Sequence, residues 1–194
     1  MDPTTSPEPD DTEGRLATSP APLRSRRSLL VVLWVIAAFV YVLDRGSKWL
    51  ALRHLSTDEP VQVVGRLLQL RLLFNPGAAF SMATGMTWLL TLLAVGVVVV
   101  IVRVSRRLGS RGWALALGLL LGGALGNLTD RLVRPPGFGR GHVVDFVQLP
   151  NFPVFNVADS AITVAAVCVV LLSLRGVGLD GRREHGHRRE GSDA

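Results

Sequence analysis

Apolar and polar residues are gathered along this chain into long blocks. Four stretches, about 29–50, 86–102, 112–129 and 155–174, are almost wholly apolar. Roughly 20 residues of helix cross a ~30 Å hydrocarbon core, so each block predicts a membrane-spanning helix, some with polar ends. Between the first two, "VQVVGRLLQLRLLFN" (61–75) partly alternates polar with apolar residues, which predicts strands lying at the membrane surface. "HVVDFV" (142–147) predicts another short strand between the last two spans. In the third span Gly118, Gly122 and Gly126 recur every four residues, the pattern of a small-residue face for close helix packing.

Charge placement orients these spans. Arg24, Arg26 and Arg27 precede the first, Arg103, Arg106, Arg107 and Arg111 join the second to the third, and Arg175, Arg182, Arg183, Arg188 and Arg189 follow the fourth. With four crossings all three clusters fall on one side, so both termini are expected in the cytoplasm. Connections 51–85 and 130–154 are then extracytoplasmic. The first span reads as retained rather than as a cleaved leader. No small-x-small site follows it; Asp44, Arg45 and Lys48 do. The expected fold class is a mainly α membrane protein: four transmembrane helices over 28–176 and a small extracytoplasmic β-rich surface element. The tails at 1–27 and 177–194 are expected to be cytoplasmic, the first disordered and the second charged.

Composition agrees with a membrane protein. The 194 residues are 48% hydrophobic and only 19% charged, a low share for a soluble domain. The net charge of +6 lies in arginines that flank apolar runs, so no nucleic-acid partner is expected. The lone Cys168 sits in the middle of "AAVCVVLLSL", a packing position, and no Cys/His metal spacing exists. Neither a metal nor a cofactor is expected.

The polar residues inside this apolar frame share one boundary. Asp44 and Lys48 lie four apart near the outer end of the first span, on one helix face. Asn75 follows the surface strands, Asn127, Asp130 and Arg131 close the third span, Asp145 lies in the second outer connection, and Asn156 and Asp159 open the fourth span. Asn156 and Asp159 read first as a helix cap, an amide followed three residues later by an acid. Capping alone does not explain why all these groups gather at the outer boundary, where ionisable residues are costly and are paired or functional. Asp44 has Lys48 for a neighbour and Asp130 has Arg131. Asp145 and Asp159 have only Arg140 and His142 nearby, and "FVQLPNFPVFNVAD" is short enough to bring the two acids face to face. Two carboxylates in one apolar site share a proton, and such a pair can activate water and protonate a leaving amine. A catalytic pair, a structural pair and an ion-binding pair all stay open on these grounds.

"LDRGSK" (43–48), "FNPGAAFS" (74–81), "GGALGNLTDR" (122–131), "GHVVDF" (141–146) and "FNVADSAI" (155–162) together resemble the lipoprotein signal peptidases, the signal peptidase II family, in order and over roughly 28–175. The resemblance implies an aspartyl endopeptidase of the bacterial cytoplasmic membrane. It would remove signal peptides from diacylglyceryl-modified prolipoproteins, cutting just before the lipidated cysteine at the extracytoplasmic face. It places the catalytic pair on Asp145 and Asp159 and supporting positions on Asp44, Lys48, Asn75, Gly77, Asn127, Asp130, Arg131 and Asn156. It implies a monomer whose partners are prolipoproteins and membrane lipids. The chain departs from the family pattern at Arg45, where the family commonly has Gln, in a long "RPPGFGR" stretch (134–140), and in a short connection between the two catalytic blocks.

Two rival functions are weighed by their own signatures. A serine hydrolase would need Ser47, Ser81 or Ser160 beside His54 or His142, and no GxSxG elbow is present. An ion-coupled transporter would place its acids near the midplane within repeated halves; here the acids are all at one boundary and no repeat is visible.

Overall fold

The computed structural model describes residues 23–77 and 87–183. Most of the expected amino-terminal tail, Ser81, and the end of the chain with His185 and His187 lie outside the described residues. Seven elements follow in order: α1 Leu23–His54, β1 Val61–Val64, β2 Leu68–Asn75, α2 Thr87–Ser105, α3 Arg111–Val133, β3 Val143–Gln148 and α4 Val157–Leu174. All four helices are long and apolar enough to cross a membrane. Val35, Phe39, Val42, Leu93, Val100 and Val167 are among the large apolar side chains left facing outward, as a lipid surround requires.

Helix α3 is the centre of the bundle, packed by α1, α4 and α2. Glycine makes this possible at two seams. A Cβ on Gly118 would sit 2.8 Å from the Leu33 carbonyl oxygen, and one on Gly122 would sit 2.6 Å from that of Ala37, so α1 touches α3 backbone to backbone. On the other side a Cβ on Gly123 would sit 2.6 Å from the Ala158 carbonyl oxygen, which brings α4 equally close. The small-residue face expected from the sequence is therefore real, and α3 carries a second contact of the same kind.

The strands form one antiparallel sheet in the order β1-β2-β3, capping one end of the bundle. Leu73 pairs with Asp145, Asn75 with Val143, and Gln69 with Gln148. After β3 the chain turns through 149–154 and pairs again: Val147 donates to the Phe155 carbonyl at 2.8 Å, and Phe155 donates back at 3.0 Å. That extra rung places Asn156, the first residue of the next helix's cap, beside β3.

Two boundaries differ from the sequence reading. Helix α1 begins at Leu23, inside the basic cluster, because helical propensity continues past the apolar run. Residues 177–183, expected as tail, fold back as a hairpin closed by a Val177–Arg183 bridge. The Gly109 amide donates to the Leu179 carbonyl at 2.8 Å, and Trp113 Nε1 donates to that of Val177 at 2.8 Å. Leu179 adds to the cluster built on Leu29, Leu33, Ile101 and Leu108.

Glycine packing generates a direct test. Gly122→Leu overpacks the α1–α3 seam and is expected to cost roughly 1–3 kcal/mol or more. Gly46 has nothing within 4 Å of a built Cβ, so Gly46→Ala is expected to be neutral or stabilising by about 0.5–1 kcal/mol. Thermal unfolding in detergent measures both; equal destabilisation would refute the seam.

Candidate active site

At the sheet end of the bundle, Lys48 is fully buried, 0% exposed, and its ammonium is shared among three acceptors. Nζ lies 2.8 Å from Asp44 Oδ2 and 3.0 Å from Asp130 Oδ2, and it donates to Asn127 Oδ1 at 2.9 Å. Asp130 Oδ1 also receives Arg45 Nη1 at 2.5 Å and Arg134 Nε at 2.6 Å. A charge this deep persists only when paired and fully hydrogen-bonded. Backbone donors join the cluster: Asp44 Oδ1 accepts the Ala158 N–H at 3.0 Å, and Asp130 Oδ2, already on Lys48, also accepts that of Val144 at 3.3 Å. The ion cluster thus grips the residue before each of the two remaining acids, Asp145 and Asp159.

Those two are held by amides instead of cations. Asp145, 1% exposed, accepts from Asn156 Nδ2 at 2.6 Å on one oxygen and from Asn75 Nδ2 at 2.8 Å on the other. Asn75 is aimed by Gly77, whose N–H donates to Asn75 Oδ1 at 2.8 Å; Gly77 adopts φ 106°, a left-handed conformation that favours glycine. Asp159 accepts from Asn127 Nδ2 at 2.8 Å and from the Asn156 backbone N–H at 3.1 Å. Asn156 Oδ1 in turn accepts the Asp159 N–H at 2.9 Å, which completes a capping box. Asn156 therefore spans the pair, with its side chain on Asp145 and its backbone on Asp159.

Burial drives the Asp145 pKa up to about 6, helped by the nearby Asp159 charge, while the Asn75 and Asn156 bonds and Lys48 pull it down. A carboxyl that keeps its proton this far up, next to a second carboxylate, can give and take protons near neutral pH.

Two cavities flank the pair. One, of about 560 Å³, is lined by Asp159, Asn75, Phe155 and Val164. The other, of about 220 Å³, is lined by Asn127, Arg131, Ala124 and Leu93. Arg131 does not pair with Asp130 as its sequence position suggested. Successive helix residues point about 100° apart, so Asp130 turns to α1 while Arg131 turns to the cavity. Arg131 Nη1 is buried with no hydrogen-bond partner among the described residues, within electrostatic reach of Asp145 and Asp159.

Every expected site residue falls in this one cluster. Two that sequence reasoning left out belong to it as well. Arg134 sits four residues from Asp130 on one helix, a legible spacing, whereas nothing in the sequence links Arg45 to Asp130, 85 positions away. The hydroxyls of Ser47 and Ser160 bond back to Asp44 O and Asn156 O, so neither is paired as a nucleophile with a histidine.

Comparison with known proteins matches this chain to a family. Residues 36–175 fit the model described as signal peptidase (SPase) II. The chain is similar to the lipoprotein signal peptidase of Rhodococcus jostii (strain RHA1), at 54% identity over 90% of this chain and 86% of the relative. It is similar to that of Leifsonia xyli subsp. xyli (strain CTCB07), at 49% identity over 87% and 79%. A bacterial membrane enzyme solved by the in meso method at 1.9 Å matches with a TM-score of 0.65 and 26% identity, over 73% of this chain and 91% of its own. Another, at 2.3 Å, shares the fold with a TM-score of 0.66, 23% identity, and coverage of 82% and 93%.

Removing the central cation leaves Asp44 buried without an ion-pair partner, while Asp130 keeps Arg45 and Arg134. Lys48→Met is expected to cost about 3–5 kcal/mol. Arg45→Gln leaves Asp130 with Lys48 and Arg134 and is expected to cost at most about 1 kcal/mol. Detergent unfolding curves for the two variants test that order.

Proposed function

The chain belongs to the signal peptidase II family, which removes signal peptides from prolipoproteins, and on that premise we propose that Asp145 and Asp159 form its aspartic proteolytic pair. The cut falls just before a diacylglyceryl-modified cysteine. The observation that carries this reading is how the four clustered acids divide. Asp44 and Asp130 are each neutralised by cations, whereas Asp145 and Asp159 have no ion-pair partner among the described residues and are held by amides. Two carboxylates are thereby oriented without being silenced.

In the proposed reaction the pair holds one proton, which belongs to both residues. One carboxylate removes a proton from water as its oxygen adds to the scissile carbonyl, and the shared proton moves to the carbonyl oxygen. The tetrahedral diol then collapses: one hydroxyl gives its proton to the charged carboxylate, the C–N bond breaks, and the leaving amine takes the proton held by the other, so the pair again holds one proton. Asn75, Asn127 and Asn156 orient the carboxylates, and Arg131 offers an unpaired donor beside them. The smaller cavity runs into an apolar trough of about 850 Å³ along α2 and α3 through their common Leu93, Val97 and Leu120. A trough that long suits the apolar helix of a signal peptide.

Arginine placement supports cytoplasmic termini and an active site at the extracytoplasmic face of the bacterial cytoplasmic membrane. There a lipidated cleavage site sits at the lipid boundary, and the exposed Val61, Val63 and Val64 of β1, with Leu67 of the following turn, lie against lipid. The enzyme works as a monomer in this reading, with membrane lipids as its surroundings.

Asp145→Asn and Asp159→Asn are each expected to stay folded and to abolish cleavage of a diacylglyceryl-modified prolipoprotein, and an unmodified prolipoprotein is expected to remain uncut. Retained cleavage in either Asn variant would sink the pair. Asp130→Asn is expected to lose stability yet keep residual cleavage. The pH dependence has a definite sign. The singly protonated pair is lost as pH rises through the Asp145 value of about 6, so kcat/KM is expected to fall across that range. Bound lipid adds desolvation, so the corresponding limb in kcat is expected at higher pH. A kcat/KM that rises through pH 6 would contradict the assignment.

A further inference from the structure

Across the sheet from the dyad, Gln62, Gln69 and Gln148 stand in one row: Gln62 is the partner of Gln69, and Gln69 is the partner of Gln148. Directly paired residues project from the same face, so three carboxamides line up across all three strands. Beside the last two lies a cavity of about 490 Å³, whose walls also include Arg66 and Asn151. Asn151 has φ 56°, in the tight turn that follows β3. Gln148 Oε1 is fully enclosed and meets no donor among the described residues. A buried amide oxygen without a donor costs about 1–3 kcal/mol, so its persistence points to a partner that arrives from outside.

Chemistry limits what that partner is. Gln148 Oε1 needs an N–H, Arg66 offers only donors, and the carboxamides of Gln69 and Asn151 offer both. A peptide group presents one N–H and one C=O, which matches this set. A phosphate headgroup presents acceptors alone and would leave Gln148 Oε1 unsatisfied. Position narrows it further. The cavity and the larger dyad cavity have Leu149, Phe152 and Pro153 as common walls. A chain leaving the dyad on the sheet side crosses that wall and enters the polar cavity.

Resting on the proteolytic reading above, we propose that this cavity is a second substrate subsite, which binds the extended backbone of the first residues of the mature polypeptide beyond the lipidated cysteine. Gln148 Oε1 accepts from a substrate N–H, and Arg66 donates to a substrate carbonyl. Recognition through backbone atoms accepts varied mature sequences, while the lipid and the dyad set the point of cleavage.

The test compares two diacylglyceryl lipopeptides in detergent, one ending just after the modified cysteine and one extended by about eight residues. Two or three added hydrogen bonds are expected to give the extended substrate a roughly tenfold higher kcat/KM with the native enzyme, carried by KM. In Gln148→Leu, Arg66→Ala and Asn151→Gly that ratio is expected to fall to about twofold or less. Arg66 and Asn151 are exposed, so those two variants carry the test if Gln148→Leu fails to fold. Equal cleavage of both substrates by the native enzyme, or the same loss on both in the variants, would overturn the subsite. So would an effect of Arg66→Ala that follows the anionic lipid content of vesicles rather than substrate length. The dyad reading is judged separately, by the Asp145→Asn and Asp159→Asn variants on the short substrate.

Discussion

One ammonium group organises the sheet end of this bundle. Lys48 is charged, fully buried and one helical turn from Asp44, and it reaches across to Asp130 and Asn127 on α3. Without it, the carboxylates of α1 and α3 would face one another in an apolar interior, where like charges cost most. With it in place, both carboxylates also accept from backbone, Asp130 from Val144 N–H on β3 and Asp44 from Ala158 N–H on α4. Four separate elements are thus registered to one another around a single cation. The close approach of α1 to α3 at Gly118 and Gly122 is what allows so short a reach.

That arrangement divides four similar side chains between two tasks. Asp44 and Asp130 are committed to structure because their charge is already balanced. Asp145 and Asp159 are held instead by neutral carboxamides, which orient them without neutralising them. Asn156 belongs to both tasks at once: it begins α4 and it joins the two acids. A capping box that in an ordinary helix stabilises by about 1 kcal/mol here also ties Asp159 on α4 to Asp145 on β3.

Much of this was legible in the sequence, for identifiable reasons. Long apolar blocks, strand alternation at 61–75 and the Asn156/Asp159 spacing are local patterns, and local patterns survive folding. The glycine repeat of α3 was readable because its period matches the helix. What stayed hidden depends on neighbours distant along the chain. Arg45 looked like a departure from a family pattern, and only the packing of α1 on α3 places it on Asp130. Arg131 was matched to Asp130 by adjacency, whereas helical geometry sends adjacent side chains in different directions. The fold-back of 177–183 was hidden because charge and glycine there read as solvated tail, while Leu179 and two backbone carbonyls supply the docking.

The glycine seams also decide how a greasy substrate can arrive. Where α1 meets α3, and again where α3 meets α4, backbones touch so closely that no acyl chain or helix can slip between them. Helix α2 packs mainly on α3 and leaves its flank toward α4 open. The bundle therefore has two seams closed by backbone contact and, among the described residues, a looser flank between α2 and α4. On the proteolytic reading, a membrane-held chain reaches the aspartates along that looser flank, and the apolar piece, once cut, leaves by the way it came.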